Sequence, residues 1–205
     1  MIAKPDLRFE TGGAMPVCGV DEAGRGPLAG PVIAAAVILP TGEAPGWFAK
    51  INDSKKMSRT ARETLFDLLT QHAQVGIGRA EPVEIDTINI LQATMAAMTR
   101  AVVALPTVPA RALIDGNRVP SVLPCPGQAI IGGDRLSLSI AAASIIAKVT
   151  RDREMTRLAA SHPGYGWEHN AGYPTADHRS ALIQLGPTAH HRVSFAPVRK
   201  VMSDK

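Results

Sequence analysis

The 205-residue sequence holds only two cysteines, Cys18 and Cys125, too few for a disulfide framework and without the paired spacing of a structural zinc site. Both read as small buried thiols. No run of about eighteen apolar residues occurs, which excludes an apolar membrane-spanning helix. The N-terminus, Met1-Ile2-Ala3-Lys4-Pro5 with acidic Asp6 and Glu10 close behind, lacks the apolar core of a secretory signal. The expectation is a cytoplasmic protein with no membrane association. Internal repeats, low-complexity linkers and clustered turn residues are missing as well, so no domain boundary is visible. A single domain over 1–205 is expected, with its core at about 15–198. Neither sign of charge dominates: 22 Lys and Arg against 18 Asp and Glu give +4, which permits a polyanionic partner without requiring one. What is present is apolar material, 45% of residues against 20% charged, enough for a domain of this length to bury roughly 70% of its unfolded surface. Disorder is excluded.

Apolar periodicity marks the elements. Val17 to Asp21 reads as a strand running into a glycine-rich turn, Ala23-Gly24-Arg25-Gly26-Pro27-Leu28-Ala29-Gly30. Val32 to Leu39 is continuously apolar and closes at Pro40-Thr41-Gly42, the pattern of a strand buried on both faces. Val75 to Ala80 is a third strand. Between them Ser58 or Thr60 caps a helix carrying Leu65, Leu68 and Leu69, and Thr60 with Glu63 has capping-box spacing. Ile88, Leu91, Met95, Met98 and Val102 recur at helical steps before Pro106. Ala112 to Asp115 and Gln128 to Ile131 are short strands. A long alanine-rich helix runs from about Leu136 to Leu158, and a last helix runs from a Thr175 cap to Gly186-Pro187. The order predicts a mixed α/β sheet, its first three strands a meander, flanked by helices and followed by a helical C-terminal portion.

Within this apolar frame a few acids stand where acids are costly. Asp21 and Asp115 each end an apolar strand at a glycine-containing turn, and Asp134 follows Ile130-Ile131-Gly132-Gly133. Any one of them alone fits an Asx turn or a helix cap equally well. The repetition favours one shared rim, the usual place for sites in α/β sheets. Asp21, Glu22, Asp115 and Asp134 side by side would raise one another's pKa unless a cation relieved them, and all-oxygen ligands select Mg²⁺ or Mn²⁺ over zinc. Two such ions about 4 Å apart can activate a water and stabilise a phosphodiester's leaving oxygen. Neighbouring strand residues point to opposite faces, so Asp21 and Glu22 share a site only if the strand breaks between them or just after. Gly24-Arg25-Gly26 with Gly30 has GxGxxxG spacing and no Walker lysine, which is not a nucleotide fingerprint. Glycines there let backbone amides approach a sugar hydroxyl or phosphate, and Arg25 adds a fixed cation.

The segment Gly19-Val20-Asp21-Glu22-Ala23-Gly24-Arg25-Gly26-Pro27-Leu28-Ala29-Gly30 resembles the opening signature of the ribonuclease HII family, the type 2 ribonucleases H. Asn52-Asp53-Ser54-Lys55-Lys56-Met57-Ser58, Leu113-Ile114-Asp115-Gly116-Asn117, Gly133-Asp134 and Ser139 through Asp152 are similar to further family motifs. So are His162 through Trp167, Asn170 through Thr175, and His191 through Phe195, all in family order across about 17 to 198. The resemblance implies an RNase H-like fold and metal-dependent cleavage of the RNA strand of RNA/DNA hybrids. It also implies nicking on the 5′ side of ribonucleotides embedded in duplex DNA, as in ribonucleotide excision repair. Asp21, Glu22, Asp115 and Asp134 would be the catalytic, metal-binding carboxylates, with Mn²⁺ or Mg²⁺ bound as two ions beside substrate. Gly24, Arg25 and Gly26 would sense the ribose 2′-hydroxyl, and Tyr173 would stack on the following deoxyribose. The family has lysine before its fourth aspartate where this chain has Gly133, which removes one cation.

Lys55 and Lys56 are candidate phosphate contacts. Lys148, in an apolar helix segment, is expected to face the site, with Asp152 as its structural partner at i,i+4. His178, His190 and His191 are expected to cap helices or face phosphates. A monomer with no added C-terminal domain or partner tail is expected. A non-catalytic hybrid-binding module and a DNA-cutting nuclease are the competing readings; the intact set of acids argues against the first, the glycine turn and Tyr173 against the second.

Overall fold

The computed structural model describes residues 4–204; Met1, Ile2 and Ala3 of the N-terminal reading, and Lys205, lie outside it. One strand of its sheet has no water-facing side. β2, Val32–Ile38, is buried at all seven positions. Because side chains alternate along a strand, Val32, Ala34, Ala36 and Ile38 join one core cluster while Ile33, Ala35 and Val37 join another. Four of those seven side chains are β-branched and three are alanine, which fits a pleated surface with helices pressed on both faces.

β1, Val17–Ala23, and β3, Gln74–Ala80, pair antiparallel with β2 on either side. β4, Arg111–Asp115, and β5, Gly127–Ile130, extend the sheet in parallel with β1. The order is β3-β2-β1-β4-β5, the mixed sheet with a three-strand meander that the sequence predicts.

α1, Arg59–His72, and α2, Pro82–Val103, lie on opposite faces. α3, Leu138–Ser161, covers the α1 face; its first ten residues are all buried, as an all-round apolar helix must be. Its N-terminal end presses on β1 at Gly19, where any Cβ would collide with the backbone of Ser139 and Ile140. A side chain there would push the helix off the sheet.

Several boundaries differ from expectation. Ser58, not Thr60, caps α1, its side chain accepting from Ala61 N. α2 starts at Pro82 and bends at Asn89, whose φ of 67° is non-helical and whose Oδ1 accepts from Leu91 N and Gln92 N. Asn89 is therefore the cap of a second helical segment, and Ile88 before it is partly exposed rather than core. Ile131 is outside β5 and exposed. Cys18 is buried but Cys125 only partly so. The helix capped at Thr175, α5 (Ala176–Leu185), is not the last: α4 (Trp167–Asn170) precedes it and α6 (Ala196–Ser203) follows. Both are short, four and eight residues, and helices of that length depend on tertiary packing more than on local signal.

Candidate active site

The parallel pairing of β1 with β4 registers Val20 against Ile114, so the next residues along both strands, Asp21 and Asp115, stand together at the strands' C-terminal ends. β1 does not break between Asp21 and Glu22; it continues to Ala23 and breaks just after, at Gly24 with φ of 100°. Asp21 is consequently buried, while Glu22, one step on, turns to the partly exposed side. Asp134 is not at a strand end. It sits, buried, in a 3-10 turn over Gly133–Arg135 that follows left-handed Gly132. That turn is fastened to β4 because Gly133 N donates to Asp115 Oδ1 at 2.7 Å.

The four acids share one field. Burial pushes the Asp21 carboxyl well above the usual carboxylate range, and the charges of Glu22 and Asp115 add to the rise; the Ser144 hydroxyl and the Glu22 amide hold it back. Glu22 is raised by burial against the opposing pull of Arg25, and Asp134 is raised by burial and by Asp115. Among the cations answering this cluster is Lys55: its Nζ lies 3.8 Å from Asp134 Oδ2, and the charges of Asp134, Asp21, Asp53 and Asp115 raise its pKa against the cost of burial. Among the described residues no three acidic, histidine or cysteine side chains close around a single point as a preformed metal cage would. The donor chemistry nevertheless fits a hard divalent cation, being all oxygen, over-charged, and already paired with an ammonium group.

Beside the acids a cavity of about 220 Å³ is lined by Glu22, Gly24, Arg25, Gly26, Lys55, Lys148 and Tyr173, with Ser54 and Ser144 at its base. Arg25 Nη1 is 3.5 Å from Glu22 Oε1. Lys148 donates to Asp152 Oδ1 at 2.7 Å, the i,i+4 pair the spacing predicts, while lining the cavity. Lys56 is not brought in; it is 3.9 Å from Asp53 Oδ2, whose carboxylate caps the turn Ser54–Lys56. A second hollow of about 230 Å³ is lined by Glu22, Arg25, Asp115, Asn117 and Arg118 among others.

Sequence reasoning missed Ser144 and Ser54, whose hydroxyls are 2.9 Å apart. The signal was available, since Ser144 is the polar interruption after Ala141-Ala142-Ala143. The histidine expectation is overturned. His178 and His191 are buried, their Nε2 atoms 3.2 Å apart, with Trp167 Nε1 donating to His178 Nε2 at 3.0 Å. His190 is half-buried with its ring 4.8 Å from that of His162. The rings of His178 and His191 are core, packed where solvent does not reach.

A family model described as ribonuclease HII matches residues 18–198. Ribonuclease HII of Parvibaculum lavamentivorans is 58% identical over 202 residues, 97% of this chain and 74% of that protein. Among solved structures, the ribonuclease H2 of Pyrococcus horikoshii superposes with a TM-score of 0.74 at 26% identity, covering 92% of this chain and 97% of that one. Bst-RNase HIII in complex with Mn²⁺ gives 0.73 at 18% identity, covering 92% and 69%, a likeness of fold.

Proposed function

The chain belongs to the ribonuclease HII family and has its RNase H-like fold, and from that premise we propose that it is a metal-dependent endonuclease that hydrolyses the RNA strand of RNA/DNA hybrids. It also nicks duplex DNA on the 5′ side of embedded ribonucleotides, leaving 3′-hydroxyl and 5′-phosphate ends, the entry step of ribonucleotide excision repair. The observation that carries this is the acidic rim of Asp21, Glu22, Asp115 and Asp134 directly beside a cavity walled by Gly24, Arg25, Gly26 and Tyr173. A rim of acids alone would repel a nucleic acid; a rim of acids flanked by Lys55, Lys148 and Arg25 can hold one.

Those four carboxylates would hold the ions. Two Mg²⁺ or Mn²⁺, when bound, supply a water made nucleophilic at neutral pH and charge to stabilise the leaving oxygen. Everything else falls to the chain's own groups. Lys55 withdraws from the acids to a substrate phosphate, as its exposed stem permits. Arg25 and Lys148 neutralise the backbone on either side of the cavity. The Gly24 to Gly26 turn brings peptide N–H groups to the 2′-hydroxyl, the group that distinguishes RNA from DNA. The half-exposed Tyr173 ring packs on the next sugar, where a hydroxyl would not fit.

The protein acts as a monomer and a single domain, 1–205, in the cytoplasm, without membrane attachment; among the described residues no helix is long and apolar enough to cross a membrane. The test is incubation with a duplex carrying one ribonucleotide, with Mg²⁺ and with Mn²⁺, beside an all-DNA control. Cutting on the 5′ side of the ribose supports the reading. An intact ribonucleotide strand, or equal cutting of the control, overturns it.

A further inference from the structure

Two arginines lie fully inside the molecule, Arg151 and Arg192, at 1% and 0% exposure. Among the described residues neither has a carboxylate within salt-bridge distance. A buried charge without a counter-ion is costly unless hydrogen bonds replace its water. Here the replacement is peptide carbonyls, and most of them belong to one turn. Arg192 donates through Nη2 to Gly24 O at 2.6 Å and Gly30 O at 2.8 Å, through Nε to Gly30 O at 3.0 Å, and through Nη1 to Arg25 O at 3.0 Å. Arg151 donates to Pro31 O, Ala29 O and Ala171 O at 3.0, 3.1 and 2.9 Å. The Phe195 ring, 5.2 Å from the Arg192 guanidinium carbon, closes one face of that plane.

The orientation of those carbonyls fixes that of the amides. In a trans peptide the C=O and the N–H that follows it point in opposite directions. With Gly24 O and Arg25 O both turned in to Arg192, the N–H groups of Arg25 and Gly26 are turned away from it. Neither of these N–H groups has a hydrogen-bond partner among the described residues. Their residues line the cavity that also holds Glu22 and Tyr173. The turn's left-handed Gly24 belongs to the same arrangement, because a Cβ there would run into the Arg151 guanidinium and stand 2.8 Å from Pro31 O. The inside of the turn is filled by cations and its outside presents donors.

We propose that Arg192, with Arg151 beside it, is the positioning residue for ribose recognition: its guanidinium holds the Gly24 and Arg25 carbonyls inward so that two successive peptide N–H groups face the 2′-hydroxyl. This rests on the reading of Gly24-Arg25-Gly26 as the ribose sensor given above. A planar fork reaching three carbonyls at once is something a lysine ammonium cannot reproduce, so Arg192→Lys keeps the charge and loses the template.

Binding is measured by fluorescence anisotropy, in buffer containing Ca²⁺, to two duplexes that differ by one 2′-hydroxyl. The wild-type chain is expected to favour the ribose-containing duplex by about fivefold or more, the contribution of one net hydrogen bond. Arg192→Lys is expected to bring that ratio near one while leaving affinity for the all-DNA duplex near the wild-type value. A ratio that survives in Arg192→Lys, or an equal loss on both duplexes, overturns the Arg192 assignment alone. If the wild-type chain shows no preference, the ribose reading of the turn falls and the assignment falls with it. Should Arg192→Lys not fold, amide exchange in the wild-type chain decides: the ribose duplex must slow exchange at Arg25 and Gly26 more than the all-DNA duplex does, and equal slowing overturns the proposal.

Discussion

Asp115 Oδ1 accepts a 2.7 Å hydrogen bond from the amide of Gly133, so the acid that ends β4 also positions the turn carrying Asp134. The two roles separate under substitution. Asp115→Asn keeps an oxygen for Gly133 and removes the negative charge. It is expected to lose at least about a thousandfold in kcat, ~4 kcal/mol of transition-state stabilisation, with a melting temperature close to wild type. Asp115→Ala should lose the same activity and also unfold at lower temperature. Turnover on a ribonucleotide duplex alongside thermal melts checks both; near-normal turnover in Asp115→Asn would remove Asp115 from the site.

Lys55 Nζ stands 3.8 Å from Asp134 Oδ2, beside the acids proposed to hold the metal. Lys55→Ala should therefore bind Mn²⁺ several-fold more tightly, as followed by calorimetry, because no ammonium has to be displaced. The same change should raise KM for the duplex by removing a phosphate contact. Unchanged Mn²⁺ affinity would show that the ammonium and the ion do not compete.

The parts of this molecule legible in sequence are those set by neighbours along the chain. The β2 run, the alanine-rich α3 and the acids at the ends of β1 and β4 announce themselves through periodicity or an abrupt change of polarity. What stayed hidden depends on distant partners. Arg192 meets Gly30 across 162 positions and Arg151 meets Pro31 across 120, and nothing near either arginine signals that it is buried. The bend at Asn89 was concealed because apolar residues continue at helical spacing through it. The histidines looked functional by type, yet His191 is buried against the Tyr165 ring edge-on and the Trp167 ring at a tilt, with centroids 5.0 and 5.3 Å away.

Glu10 fastens the N-terminal segment to the start of α3. Its Oε1 accepts from Ser137 Oγ at 2.6 Å, Ser139 Oγ at 2.7 Å and Ser139 N at 2.9 Å, and its Oε2 is buried without a partner. A carboxylate at a helix N-terminus is favoured by the helix dipole as well. Glu10→Gln would weaken all three bonds and bury an amide group with no acceptor. It is expected to cost about 2 kcal/mol, read as a lower urea midpoint at unchanged slope. Activity per folded molecule should be little changed, since none of Glu10's hydrogen bonds reaches Asp21, Glu22, Asp115 or Asp134.

His191 gives the fold an acid limit. Burial, with the neighbouring His178, His190 and His162, pushes its pKa from 6.5 down to about 3, and burial lowers His178 too. Its ring has no room for a second proton. Thr188 N donates to His191 Nδ1 at 3.0 Å, which leaves the proton on Nε2, facing His178. The unfolded chain takes up a proton below pH 6.5 and the folded chain does not, so stability is complete above that pH and falls as pH drops toward 3. At pH 5 the His191 contribution alone amounts to about 2 kcal/mol of lost stability. Urea unfolding at pH 7.5, 6 and 5 should show this decline. His191→Gln, which keeps hydrogen-bonding groups but cannot titrate, should start less stable at pH 7.5 and decline less steeply; an identical slope in the variant would acquit His191 and place the acid sensitivity elsewhere.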